Sequence, residues 1–134
     1  MSERPTHRAI DLAEKCAAIP ETWQPRVVAK LNDYHFKVAR LEGEFIWHDH
    51  ADTDEAFLVL EGRLWIDLPD GSVKLGPGEL FVVPAGVRHR PRAEGEVRLL
   101  LVEPRRLEVG YLAPEVVLEL IDVAPGALRR RDPE

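Results

Sequence analysis

A chain of 134 residues, 45% of them hydrophobic, is expected to form one domain with enough apolar material for a real core. Its 18 basic residues stand against 24 acidic ones, for a net charge of −6. That balance argues against nucleic acid or an anionic membrane as partner, because such binding rests on cationic neutralisation. The single cysteine, Cys16, excludes an intrachain disulfide and fits a reducing compartment. Met1-Ser2-Glu3-Arg4-Pro5 shows no basic-then-apolar signal pattern, and no apolar run approaches a membrane span. The expectation is a cytoplasmic protein.

Residues 1–10 read as a polar arm. Asp11 with Glu14 three residues on has the form of a helix start, and Pro20 stops the run. Leu12, Cys16 and Ile19 fall on one helical stripe, so a short amphipathic helix should cover part of the molecule. Cys16 on that stripe reads as a small buried hydrophobe, since no histidine or cation is placed to activate it. From Arg26 the pattern changes to strands. Residues 26–31 run into the turn pair Asn32-Asp33. Residues 34–41 follow, with Phe36 and Val38 on one face and His35 and Lys37 on the other. Glu42-Gly43-Glu44 reads as a hairpin, residues 45–50 as a strand, and residues 55–60 as the next strand.

Glu61-Gly62 reads as a turn before a strand over residues 63–68. Arg63 and Trp65 alternate there with Leu64 and Ile66, and the sequence does not say which pair is inside. Pro69-Asp70-Gly71-Ser72 is a turn with a mechanism, proline presetting φ and glycine accepting a positive one. Residues 73–75 and 79–83 read as short strands around Gly76-Pro77-Gly78. Pro84-Ala85-Gly86 turns into a stretch carrying His89, and Ala93-Glu94-Gly95 leads to a last strand over residues 96–103. Many short strands with glycine and proline punctuation argue for an all-β sandwich or barrel. Residues 115–123 are apolar enough to pack as an edge strand or a short helix, and the end of the chain reads as a frayed tail. The expected divisions are an N-terminal arm, helix and first strand over residues 1–33, a barrel over 34–104, and a C-terminal extension over 105–134.

The chemistry concentrates in His48-Asp49-His50-Ala51-Asp52-Thr53-Asp54-Glu55. Residues i and i+2 of a strand share a face, so His48 and His50 should project together. A short turn brings Glu55 back across them. Two imidazole nitrogens and one carboxylate oxygen suit a borderline divalent metal. His89 is a fourth candidate ligand. Ile46 should share the face of His48 and His50, and Phe57 and Val59 that of Glu55. With Val87 they make the expected substrate pocket. Trp47, Arg88 and Arg90 alternate away from the ligands. Trp47 is expected against the N-terminal segment or a second subunit, and the arginines on a solvated face. His7 and His35 fit no motif and read as ordinary polar residues.

The spacing His48-x-His50-x4-Glu55-x6-Gly62 resembles the first motif of the cupin superfamily, and Gly78-x5-Pro84-x-Gly86-x2-His89 resembles the second. The 15 residues between Gly62 and Gly78 match small microbial cupins. Gly43 stands one residue closer to the first histidine than the usual glycine, and Ala93 replaces the usual closing asparagine. The resemblance covers about residues 34–104. It implies a double-stranded β-helix, the small jelly-roll barrel. It also implies one divalent transition metal (iron, manganese, nickel, copper or zinc) on His48, His50, Glu55 and His89. A homodimer is expected on the same ground.

No glycine-rich phosphate loop and no nucleophile elbow is present. Catalysis, if there is any, must therefore centre on the metal. Two readings stay open. One is a metal-dependent enzyme on a small organic molecule, with dioxygenase-type oxidation or isomerase, cyclase or lyase chemistry and Glu55 as ligand or base. The other is a non-catalytic module that binds or senses a small ligand.

Overall fold

Asp11 starts the first element by accepting a 3.2 Å hydrogen bond from the backbone N–H of Glu14, which satisfies one free donor of the first helical turn. The helix α1 that follows is short, Leu12–Ala17. In the computed structural model, residues 7–105 are described. The extension expected over 105–134 thus lies almost wholly outside the described residues. Among the described residues, six strands follow α1. They are β1 (Arg26–Leu31), β2 (Tyr34–Glu44), β3 (Glu55–Leu68), β4 (Gly71–Leu75), β5 (Leu80–Val83) and β6 (Arg90–Pro104). All pairings are antiparallel, in the order β1-β2-β6-β3-β4, with β5 against β3. No helix among the described residues is long and apolar enough to cross a membrane.

Two glycine stretches expected as turns, and a third expected to lead into the last strand, lie inside long strands. Glu42-Gly43-Glu44 is no hairpin, because β2 runs on through it and pairs with β6 on both sides. Glu61-Gly62 lies inside β3, and Ala93-Glu94-Gly95 lies inside β6. The register of β3 with β6 shifts between Val59 and Glu61 and again between Glu61 and Arg63. Such bulges bend a strand and increase its twist. The first half of β3 then pairs with β5 and the end of β6, and its second half with β4 and the start of β6. The sheet closes on itself as a jelly-roll barrel. Gly62 carries the tightest corner. Its φ is +93°, and a Cβ there would stand 2.7 Å from the carbonyl oxygen of Glu96.

Alternation along these strands fills the interior. Ala39, Leu41, Phe57, Val59, Leu64, Ile66, Val97, Leu99 and Leu101 form one buried cluster. Leu64 and Ile66 are therefore the inner pair, and Trp65 faces out. A fully buried aliphatic side chain of this kind contributes about 1.5–3 kcal/mol. Cys16 and Ile19 close over Val38 and Leu100 on the outer face. Burial also pushes the Cys16 thiol pKa up, as expected of an inert cysteine.

The outer face of the β3–β6 half is held by charge. Asp67 accepts hydrogen bonds from Arg90, Arg92 and Ser72 at 2.7–3.0 Å. Trp65 lies between the charges of Arg92 and Lys74, and Trp47 between those of Arg88 and Arg90, at 5.1–5.6 Å. Trp47 thus packs on the arginines that flank His89. Arg90 is half-buried and paired rather than solvated.

Candidate metal centre

The stretch over residues 45–50 is not a regular strand. It meets the second motif at one antiparallel bridge, His48 to His89. The two backbones exchange hydrogen bonds, His48 N–H to His89 O at 3.0 Å and His89 N–H to His48 O at 2.9 Å. That exchange sets the two imidazoles side by side, with ring centroids 4.3 Å apart and planes tilted by 51°. The loop carrying His50 and Asp54 is tied to the Pro84-Ala85-Gly86 turn from both ends. Gly86 N–H donates to His50 O at 2.8 Å, and Ala85 N–H donates to Asp54 Oδ1 at 2.8 Å. Glu55 then opens β3 and points inward.

The two bridge histidines are oriented in the same way. His48 Nδ1–H donates to Ile46 O and His89 Nδ1–H to Val87 O, each at 2.9 Å. A carbonyl can only accept, so Nδ1 carries the proton in both rings and Nε2 keeps its lone pair. Backbone carbonyls of this kind fix the tautomer of metal-binding histidines. His50 Nε2 lies 3.1 Å from Glu55 Oε1, and His89 Nε2 lies 3.5 Å from the same oxygen. One ligand atom from each of His48, His50, Glu55 and His89 falls within 4.8 Å of the others.

Burial decides what this cluster is suited to. His89 is fully buried, and its Nε2 has no hydrogen-bond partner. A buried lone pair left unpaired costs about 1–3 kcal/mol. An ion bound between these residues would relieve that cost. His35 Nε2 is also unpartnered, but His35 stands on β2 outside the cluster and lacks companions. Burial and the neighbouring imidazoles of His89 and His50 hold His48 well below the usual histidine pKa. It is therefore neutral and ready to coordinate. Burial alone would raise the Glu55 pKa, but His50, through its charge and its contact at 3.1 Å, and the nearby His89 ring outweigh it and keep the carboxyl ionised. Three imidazoles and one carboxylate, gathered and mostly buried, can hold one transition metal ion.

The expected pocket residues take different places. Phe57 and Val59 are buried in the interior cluster, with the Phe57 ring 6.2 Å from that of His89. Val87 packs against the same cluster. Ile46 is 40% exposed instead of sharing the inner face with the histidines, because the irregular stretch breaks period-2 alternation. Two aromatic residues beside the cluster were not expected. Phe45 meets His48 edge-on at 5.3 Å, and Trp23 stacks on Phe45 at 4.9 Å. The signal available for Trp23 was its position, a lone large aromatic between Pro20 and Pro25.

A cupin domain model matches residues 34–103. The chain belongs to the cupin family. It is 37% identical over 82 residues to the uncharacterized protein YdbB of Bacillus subtilis, covering 60% of this chain and 73% of that one. The crystal structure of a cupin-2 domain containing protein from Shewanella frigidimarina superposes with a TM-score of 0.70 at 47% identity. That match covers 72% of this chain and 94% of the other. Acireductone dioxygenase of Leishmania braziliensis is 40% identical over 67 residues, 46% of this cupin but only 19% of that protein.

Proposed function

We propose that this cupin is a metal-dependent enzyme acting on a small organic molecule, with dioxygenase-type oxidation as its chemistry. The observation that carries the metal is the buried, unpartnered His89 Nε2 aimed at His48, His50 and Glu55. The similarity to acireductone dioxygenase over 67 residues supports an oxidation over isomerase, cyclase or lyase chemistry. We assign His48, His50, Glu55 and His89 as the ligands of one ion, iron, manganese, nickel, copper or zinc.

Bound there, a redox-active ion would bring oxygen and an organic substrate together and polarise the substrate's oxygen atoms. The chain supplies the rest. The carbonyls of Ile46 and Val87 hold the histidine tautomers. Phe57 and Val59 exclude water from behind the site. Glu55 neutralises part of the ion's charge, and an oxygen not engaged as ligand can take a substrate proton. His48, His50, Glu55 and His89 would hold the ion from one side and leave its other side to a substrate oxygen and dioxygen. Ile46, exposed beside the cluster, is then a rim residue of the pocket.

The test uses tag-free protein loaded with iron(II) under anaerobic conditions and exposed to nitric oxide, a spectroscopic stand-in for oxygen. An electron paramagnetic resonance signal of an iron–nitrosyl species, absent in His89→Ala, supports an open, oxygen-competent centre. Tight binding of iron with no nitrosyl signal would exclude the oxidation. It would leave the non-catalytic ligand-binding module as the reading to pursue.

A further inference from the structure

The linker between α1 and β1, residues 18–25, is clipped to the outgoing end of β2. Arg40 Nη1 donates to Ile19 O at 2.6 Å, Trp23 N–H donates to Arg40 O at 2.8 Å, and the Trp23 indole N–H donates to Glu42 O at 2.9 Å. Trp23 has φ +63°, a region that large non-glycine residues avoid unless their surroundings over-determine it. The surroundings here do so on two sides. The hydrogen bonds fix its backbone and indole edge, and its ring lies flat on Phe45 with an interplanar angle of 14°.

Phe45 passes this restraint on. Its backbone is anchored by Phe45 N–H to Pro91 O at 3.0 Å, and its ring meets the His48 imidazole at 86°. The single hydrogen bond from His48 Nδ1 fixes one point of that ring but leaves it free to tilt about the bond. An edge-on aromatic contact removes the tilt. We infer that Trp23 is a positioning residue of the metal centre, setting the plane of the His48 imidazole through Phe45 so that Nε2 faces His50, Glu55 and His89. This inference rests on the reading that the four residues hold a metal. Trp23 also packs against the interior cluster, but that contact asks only for apolar bulk, not for its left-handed backbone, its two hydrogen bonds to β2 or the plane of its ring.

Groups that orient metal ligands from behind change metal affinity by about 10- to 100-fold when removed. The test is cobalt(II) titration of the full chain, free of tags, followed by calorimetry and by the visible absorption of the ion. Trp23→Leu keeps apolar bulk against the interior and removes the ring. Trp23→Phe keeps a ring on Phe45. Phe45→Leu removes the link, and Trp65→Phe on the outer face is the control. Wild type and control are expected to bind one equivalent alike. Trp23→Leu should bind about tenfold more weakly with an altered cobalt spectrum, and Trp23→Phe should regain most of both. The Trp23→Leu/Phe45→Leu double variant should be no weaker than Phe45→Leu alone, because the two act in series. A purely structural tryptophan would lower the urea midpoint and leave the affinity and spectrum of the folded protein unchanged. That result in Trp23→Leu, or additive losses in the double variant, would overturn the inference while the metal reading stood. Failure of the wild type to bind cobalt(II) would instead remove the metal reading, and the inference with it.

Discussion

Replacing Gly62 with alanine tests the bent-strand architecture at its tightest point. The residue sits at φ +93°, which costs a residue with a Cβ about 1–2 kcal/mol. The new methyl would also stand 2.7 Å from Glu96 O and 3.1 Å from the Val97 Cα and Cγ2 atoms. Two of those three atoms are backbone of a paired strand, so they cannot swing aside, and overpacking of this kind adds about 1–3 kcal/mol. The expected loss is about 2–5 kcal/mol. At about 4 °C per kcal/mol for a chain of this size, the melting temperature should fall by about 8–20 °C. Gly43 is the matched control. Its φ is +81°, but nothing lies within 4 Å of a Cβ there, so Gly43→Ala should lose only the conformational part, about 1–2 kcal/mol. Urea denaturation of both variants separates the two contributions. Equal losses at the two sites would show that the crowding of β3 against β6 at Gly62 is not as described.

Three further outcomes follow from particular contacts. Asp67 is held far below the ordinary aspartate pKa, chiefly by its hydrogen bonds from Arg92, with Ser72 and Arg90 adding to them. Its stabilisation is therefore complete above the unfolded pKa, near 4, and is lost as the pH falls below that. Asp67→Asn should be less stable than wild type by about 2 kcal/mol at pH 7, and the gap in urea midpoint should narrow at pH 3. A gap that widens on acidification would contradict the pairing. Cys16 should resist an aromatic disulfide reagent in the native state and react fully in urea, because it is fully buried on the face of α1 turned to Val38 and Leu100. Rapid labelling of the folded protein would show that α1 does not close over β2 and β6. Finally, His89→Leu removes the unpartnered buried nitrogen along with one hydrogen bond to Val87 O. Metal-free protein should then be as stable as wild type or about 1 kcal/mol more so, while metal no longer stabilises it.

How much was legible in the chain depended on how local the signal was. The start of α1 at Asp11 could be read because a cap and its partner lie three residues apart. The convergence of His48, His50, Glu55 and His89 could be read because two short motifs carry it. The roles of Gly43, Gly62 and Gly95 could not. A glycine at positive φ serves a tight turn and a bend in a long strand equally well, and only the register of the partner strand tells them apart. Strand alternation also failed at Ile46. The stretch carrying His48 pairs only at one bridge, so its neighbours obey the loop rather than the pleat. Trp23 was out of reach for a third reason. Its contact with Phe45 arises from the path of the linker across the end of β2, which no periodicity encodes.

The most direct test of the account is elemental analysis of tag-free wild-type protein beside His50→Ala. The account predicts close to one equivalent of a transition metal in the wild type and almost none in the variant, with the fold of both intact by circular dichroism. A wild type that carries no metal and takes up none on titration would contradict it.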